Sequence, residues 1–138
     1  MDCIFCKIIN NEILSFKVYE DADVLAFLDV NPAAEGHTLV IPKKHFENIF
    51  DIDSAYLEKV GAAAKKIAEK MKESLGAQGV NLYHGSGRAA EQGVFHFHLH
   101  VVPRRTGDGI DFTAAIERKG KKLSPDEMES VRKKLSLV

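Results

Sequence analysis

A chain of 138 residues, of which 45% are hydrophobic and 28% are charged, has the size and composition of one globular domain. Its 19 basic and 20 acidic side chains give a net charge of −1, so we expect neither nucleic acid nor a membrane surface as a partner. No apolar run approaches the roughly 18 residues that span a bilayer, and the N-terminus lacks the basic-then-apolar pattern of a signal peptide, which together predict a cytoplasmic protein.

The chain begins with an apolar segment around two cysteines, Cys3 and Cys6, in C-x-x-C spacing. In a reducing compartment such a pair is more often a metal or redox site than a structural disulfide. A thioredoxin-like redox role has little support, because no β-α-β pattern surrounds the pair. Free buried thiols remain the alternative to a metal site.

Three strands are predicted next along the chain. The first two, at 17–20 and 24–30, read as a hairpin that ends before Pro32. The third runs from 36 to 41 and stops at Pro42, which cannot donate to a sheet ladder. Together they predict an antiparallel arrangement.

One long amphipathic helix is predicted from Asp53 or Ser54 to Leu75, because apolar residues recur there at three- and four-residue spacing. Asp53 or Ser54 supplies the N-cap, and Gly76 can adopt the left-handed conformation that ends a helix. We assign this helix no chemistry.

A fourth strand is predicted at 80–83, and a glycine-rich loop follows at 85–92. Glycines allow close backbone approach, so the amides of this loop could point at an anion. Taken alone, such a loop is also typical of an ordinary connection between strands.

The segment GVFHFHLHVVPR, residues 93–104, is predicted to be the fifth strand. Because side chains alternate in a strand, His96, His98 and His100 would share one face and an apolar row would cover the other. Packing gains nothing from three crowded titratable rings, whereas imidazole can bind a metal, act as a nucleophile or donate to a phosphate. The pattern therefore predicts a metal or phosphate site.

The C-terminal segment, 106–138, carries no motif of that kind. A short element is expected over 110–116, and a terminal helix over about 124–136. The Ser-Pro-Asp-Glu sequence at 124–127 is typical of a capping box with proline at the first helical position. We expect the helix to bury an apolar stripe made of Met128, Val131 and Leu135.

The HFHLHVV segment resembles the His-x-His-x-His-x-x signature of the histidine triad (HIT) family of nucleotide hydrolases and transferases. GHTLVIPKKH at 36–45 and CIFCKII at 3–9 resemble the same family in the same order, so the resemblance covers about 2–105. It implies a single HIT-like domain over 1–138, an α+β fold with a mostly antiparallel five-stranded sheet, one long helix and a C-terminal helix. It also implies a homodimer.

For members of the family with an N-terminal C-x-x-C, the resemblance implies a zinc site. Its ligands would be both cysteines, the histidine after I-P-x-x and the first histidine of the triad, which are Cys3, Cys6, His45 and His96. Four N/S ligands complete a tetrahedron and leave no open position, so this zinc would be structural.

For the chemistry, the resemblance implies that His98 attacks the α-phosphorus of a nucleotide and forms a covalent nucleotidyl-histidine that water then hydrolyses. His37 and His100 would contact the phosphoryl oxygens, and Gln92 would orient the attacking and leaving atoms. The favoured substrates are nucleoside 5′-monophosphate derivatives such as adenylyl phosphoramidates. The alternatives are a dinucleoside polyphosphate hydrolase or nucleotidyltransferase and, in another class, a zinc-stabilised nucleotide-binding or interaction module.

The resemblance also implies a purine nucleotide as ligand, with Asp29 accepting from the ribose hydroxyls. The apolar wall around the base would be Phe5, Ile8, Phe27 and Val30, and the phosphate side would be Ser86, Gly93 and Val94. The chain departs from the family at three positions. Gly93 stands where Ser or Thr is frequent, Ser86 where Asn is frequent, and Glu91 where many relatives have Gly.

Overall fold

The computed structural model describes residues 2–112 and 122–137. The chain folds as two compact units, Met1–Asp108 and Gly109–Val138. Within the described ranges, none of the helices combines the length and apolarity that a bilayer crossing requires.

The first unit contains one antiparallel sheet of five strands. In chain order the strands are β1 (Lys17–Glu20), β2 (Val24–Leu28), β3 (Thr38–Pro42), β4 (Gly79–Tyr83) and β5 (Leu99–Arg104). Their order across the sheet is β1-β2-β3-β5-β4, and each neighbouring pair is antiparallel. The sheet confirms the predicted α+β fold.

Strand β2 is apolar throughout, and β3 is apolar after Thr38, because both faces of these strands are covered. On β2, Val24 and Ala26 belong to a hydrophobic cluster with the long helix α2 (Ser54–Leu75), whereas Leu25 and Phe27 belong to a second cluster on the opposite face. The second cluster includes Phe5 and Ile8 of the short N-terminal helix α1 (Ile4–Ile9). The period of two in a strand therefore distributes one apolar run between two cores.

The predicted bounds of α2 are confirmed. Asp53 is the N-cap, although its side chain makes no capping hydrogen bond, and Gly76 ends the helix with φ of 65°. The face of α2 that packs on the sheet consists of Val60, Ala63, Ala64, Ile67 and Met71.

The prediction for the histidine segment was wrong in its extent, because β5 begins only at Leu99 and includes His100 alone of the three histidines. The residues before β5 are irregular, and their polar groups form hydrogen bonds outside the sheet ladder. The ring of His98 hydrogen-bonds to the carbonyl of His96 at 2.7 Å, and the amide of Phe97 donates to the carbonyl of Phe46 at 2.7 Å. Side-chain bonds to local backbone groups compete with a sheet ladder in this way.

In the second unit, the terminal helix α3 (Pro125–Leu135) confirms the predicted element, and its capping box between Ser124 and Glu127 is complete. The expected buried stripe was wrong, because Met128, Val131 and Leu135 are 58%, 39% and 73% exposed. The spacing correctly predicted an amphipathic helix, but capping and an ion pair between Glu129 and Arg132 stabilise it locally without burial. The short element expected over 110–116 lies largely outside the described residues.

Candidate active site and metal centre

Four side chains from three separate parts of the first unit meet in one cluster, Cys3, Cys6, His45 and His96. The two cysteines lie at the start of α1, His45 follows β3, and His96 precedes β5. The Sγ atom of Cys6 lies 3.4 Å from Nδ1 of His45 and 3.6 Å from Nδ1 of His96, and Sγ of Cys3 lies 3.5 Å from Nδ1 of His96. The two Nδ1 atoms are 3.1 Å apart.

These distances fit a tetrahedral zinc ion. Zinc–ligand bond lengths place two nitrogens about 3.3 Å apart, and a nitrogen and a sulfur about 3.6 Å apart, along the edges of the tetrahedron. Nε2 of His96 donates to the carbonyl of Pro42 at 2.9 Å, which leaves Nδ1 without a proton and directed at the cluster. Burial lowers the pKa of His96 to about 4, so the ring is neutral, as a ligand must be.

The second histidine of the triad lies in a different environment, on the wall of a cavity of about 770 Å³. Nδ1 of His98 donates to the carbonyl of His96 at 2.7 Å. Nε2 is therefore the ring nitrogen with a lone pair. Burial lowers the pKa of His98, which keeps the ring neutral near pH 7. A neutral imidazole with one nitrogen held by an acceptor can act as a nucleophile through the other.

A chain of hydrogen bonds fixes the protons on the other two predicted histidines. The amide of Ala33 donates to Nδ1 of His37 at 3.0 Å, so the proton of His37 is on Nε2. This Nε2 donates to Nδ1 of His100 at 2.9 Å, and His100 therefore has its proton on its own Nε2. Burial lowers the pKa of both rings, and that of His100 falls to about 4. The pair is neutral, with His100 on the cavity wall and the buried His37 not among the residues that line it.

Asp29 lies beside this pair, with Oδ2 3.6 Å from Nε2 of His37, so the three residues form a second group of potential metal ligands. The protons argue against a metal there. Because Ala33 donates to Nδ1 of His37, Nε2 must hold the proton and has no lone pair to offer a cation.

Most of the residues predicted to contact a nucleotide line the same cavity, namely Phe5, Ile8, Phe27, Asp29, Val30, Gln92, Gly93 and Val94. The ring of Phe5 meets that of Phe27 edge to face at 5.4 Å. Ser86 is not one of the residues that line the cavity. Its hydroxyl accepts from the amide of Ile49 at 3.0 Å instead.

Gln92 is buried, and the protein uses the full hydrogen-bonding capacity of its amide. Oε1 accepts from the amide of Gly87 at 2.7 Å and from Nδ2 of Asn48 at 3.4 Å. Nε2 donates to the carbonyls of Glu47 and Val94 at 2.6 and 3.0 Å. Gln92 thus ties the loop before the triad to the segment after β3, and its expected contact with the reacting atoms stays a prediction.

Two residues of the site were missed by the sequence analysis. Nδ1 of His84 donates to the carbonyl of His98 at 2.9 Å, and its Nε2 accepts from the hydroxyl of Ser86 at 2.6 Å. The ring of Tyr83 stacks on His100 with centroids 4.1 Å apart and planes at 2°. Their position at the end of the predicted fourth strand, next to the glycine-rich loop, was the available signal.

The HIT domain family model matches residues 10–107. An uncharacterized HIT-like protein of Borreliella burgdorferi is 49% identical over 125 residues, which are 89% of this chain and 86% of that protein. An adenylylsulfatase of Arabidopsis thaliana is 33% identical over 130 residues, which are 94% of this chain and 66% of that protein.

Solved structures are similar over nearly the whole chain. A member of the HIT family from Bacillus subtilis has a TM-score of 0.84 and 37% identity, covering 98% of this chain and 95% of that one. A zinc-bound histidine triad family protein from Mycobacterium smegmatis has a TM-score of 0.78 and 40% identity, covering 96% of this chain and 89% of that one.

Proposed function

The chain belongs to the HIT domain family, and on that basis we propose that it is a hydrolase acting at the α-phosphate of nucleoside 5′-monophosphate derivatives, adenylyl phosphoramidates or similar compounds. The observation that carries the proposal is the state of His98. Its Nδ1 proton is held by the carbonyl of His96, it is neutral, and it lies on the cavity wall. The relationship to an adenylylsulfatase supports an adenylyl substrate.

The reaction proceeds in two displacements. In the first, the lone pair on Nε2 of His98 forms a bond to the α-phosphorus, the P–N bond to the amine breaks, and the departing nitrogen takes a proton from solvent. In the second, water attacks the same phosphorus and gives up a proton to solvent, the P–N bond to His98 breaks, and the nucleoside monophosphate is released.

The surrounding residues bind and orient the nucleotide. Nε2–H of His100 donates to a phosphoryl oxygen, while His37 behind it holds the proton of His100 on that nitrogen. The amides near Gly93 and Val94 are further donors. Asp29 accepts from the ribose hydroxyls, and the base of a purine nucleotide lies among the apolar residues Phe5, Ile8, Phe27 and Val30.

The cysteine–histidine cluster holds a structural zinc ion in this proposal. The donor distances and the neutral His96 support it, as does the zinc-bound relative. When bound, zinc links α1 to the residues that precede β5, and it takes no part in the displacements.

We also propose a homodimer. Strand β4 is at the edge of the sheet, and Leu82 on it is 52% exposed. An apolar residue on an open edge strand favours pairing with a second copy of the chain. The cytoplasmic location stays a prediction from the sequence.

The test is intact-mass analysis after incubation with an adenylylated amine and quenching without acid. We expect an AMP adduct in the wild-type protein that is absent in His98→Ala, together with turnover that is lost in that variant. Glu58→Gln, a change on the exposed side of α2, is the control that should keep both. Turnover retained by His98→Ala would favour another nucleophile.

Two alternatives are separated by the same assay. A dinucleoside polyphosphate hydrolase or a nucleotidyltransferase would turn over dinucleoside polyphosphates, or use inorganic phosphate as acceptor, in preference to the amine derivative. A binding or interaction module would bind AMP without forming an adduct, and His98→Ala would change no rate.

A further inference from the structure

The charges on the cavity wall are all of one sign. Two residues that line the cavity, Asp29 and Glu91, carry formal charges, and both are acids. Among the described residues on this wall there is no Lys or Arg. His100 adds no positive charge, because its Nδ1 accepts a hydrogen bond from His37 and the ring is therefore neutral. A polyanionic ligand thus meets no cationic side chain here.

Glu91 lines the same cavity as His98 and His100. It belongs to the loop that begins after Tyr83, whose ring stacks on His100, and that leads into the triad. Glu91 ends the short 3-10 helix Arg88–Ala90, and its amide donates to the carbonyl of Arg88 at 3.0 Å. Asp29 is the acid assigned to the ribose, so Glu91 is the acid on this wall to which the proposed function gives no role.

The position of Glu91 is well defined by its backbone. A Cβ atom on Gly85 would clash with the carbonyl oxygen of Ala90, so the two ends of the loop are in close contact. Glu91 itself has φ of 63°, a left-handed conformation that favours glycine. The chain therefore retains a carboxylate where its backbone geometry would accommodate glycine better.

Nothing in the described part of the chain neutralises this carboxylate. Arg88 is the only Lys or Arg in the loop, and its guanidinium lies over the ring of Phe95, 5.3 Å from the centroid. The ion pairs found among the described residues do not include Glu91. Its charge is therefore available to a ligand.

We propose that Glu91 is a specificity determinant that favours substrates whose leaving group carries a positive charge and disfavours anionic leaving groups such as polyphosphates. The proposal rests on the function proposed above and narrows its substrate class. A carboxylate on the wall of the cavity that His98 also lines attracts an ammonium group on the departing amine and repels further phosphates. The leaving group, and not the adenosine, is the part of the substrate that Glu91 discriminates.

The test uses three adenylyl phosphoramidates of one alkylamine, which differ only at the far end of the alkyl chain: a methyl, an ammonium or a carboxylate group. We expect kcat/KM of the wild-type protein to be highest for the ammonium compound and lowest for the carboxylate, with about a tenfold span, because Glu91 is a single exposed charge. Glu91→Gln should reduce the span to about twofold, and Glu91→Lys should reverse the order.

Glu58→Gln makes the same change in net charge on α2, away from the cavity, and should keep the wild-type span. Glu91→Gly, which suits the left-handed backbone, should behave like Glu91→Gln and guards against a folding defect in the other variants. An equal span in the wild type and both neutral variants would overturn the role of Glu91. Absence of turnover for all three compounds in the wild type would instead contradict the proposed function.

Discussion

The ring of Phe5 meets the ring of His98 edge to face, with centroids 5.3 Å apart and planes at 85°. Phe5 lies between the two cysteines of the cysteine–histidine cluster. Cys3 caps α1 by accepting a hydrogen bond from the amide of Cys6. A six-residue helix is not stable on its own in water. The cysteine–histidine cluster and the wall of the cavity are therefore joined through α1.

Removal of the metal should accordingly weaken nucleotide binding. We expect treatment with a strong chelator to lower the melting temperature and to reduce the affinity for AMP, with both restored by added zinc, because α1 loses the link that holds Phe5 beside His98. Calorimetry and nucleotide titration measure the two effects.

Cys6→Ser should reproduce the chelated state without a chelator. Lys7→Ala is the matched control, since Lys7 lies on the same helix, and its side chain is 42% exposed and forms a surface ion pair with Asp2. If the chelated protein binds AMP with unchanged affinity, the loss of metal from the cysteine–histidine cluster does not affect the cavity through α1.

Acid should destabilise the protein through His100 and its partner His37. Burial lowers the pKa of His100 to about 4 and also lowers that of His37, whereas both titrate near 6.5 in the unfolded chain. Between these values the unfolded state binds protons that the folded state does not bind. The contribution of these groups is therefore fully present above about pH 6.5 and is lost as the pH falls towards 4.

Urea unfolding at a series of pH values between 7.5 and 4.5 measures this dependence. His100→Asn should show a shallower loss of stability than the wild type at the same zinc concentration, because one titrating group has been removed. Equal slopes for the two proteins would mean that other groups account for the acid sensitivity.

Gln92→Ala should lower the free energy of unfolding and loosen the loop that contains Glu91. The substitution removes four hydrogen bonds of a buried amide, three to backbone groups and one to the side chain of Asn48, which costs about 2 to 4 kcal/mol. Urea unfolding measures the loss, and limited proteolysis shows whether residues 85–92 become accessible.

Gln78→Ala is the control for Gln92→Ala, because Gln78 is exposed and accepts one hydrogen bond from the amide of Thr106. We expect it to change stability by less than about 1 kcal/mol. A Gln92→Ala protein as stable as this control would contradict a structural role and favour the predicted contact with substrate.

Hydrophobic periodicity predicted α2 correctly. It failed at the start of β5, where side-chain hydrogen bonds to the backbone replace the sheet ladder. The stripe of α2 and Gly76 defined that helix within a residue at each end. The start of β5 could not be predicted from alternation, because histidine rings hydrogen-bond to backbone carbonyls in this region. The rings of His84, His96 and His98 donate to the carbonyls of His98, Pro42 and His96, respectively. The bonds of His84 and His96 join residues that are distant in sequence.

The same distinction applies to the site. The resemblance to the HIT family implied the set Cys3, Cys6, His45 and His96, and these residues meet in one cluster. The sequence could not predict which ring nitrogen of each histidine carries the proton. This depends on the amide of Ala33 for His37 and on the carbonyl of His96 for His98. His84 belonged to no motif, and its role became visible only through its bonds.

His84 is expected to act as a positioning residue for His98. Its Nδ1–H holds the carbonyl of His98, and its Nε2 is held by the hydroxyl of Ser86. His84→Ala should lower kcat by about ten- to a hundredfold through misplacement of the nucleophile, with a smaller change in KM. Steady-state kinetics with an adenylyl phosphoramidate measures both constants.

The conservative variant His84→Asn separates positioning from direct participation in proton transfer. An asparagine amide can donate to the same carbonyl but does not titrate near neutral pH, so it should restore most of kcat and leave the pH profile of the wild type unchanged. If His84→Asn is as inactive as His84→Ala while both proteins keep the wild-type melting temperature, the imidazole itself exchanges a proton during the reaction. Ser86→Ala removes the hydrogen bond to Nε2 of His84 and the one from the amide of Ile49, and it should lie between the wild type and His84→Ala because the donor to His98 is retained.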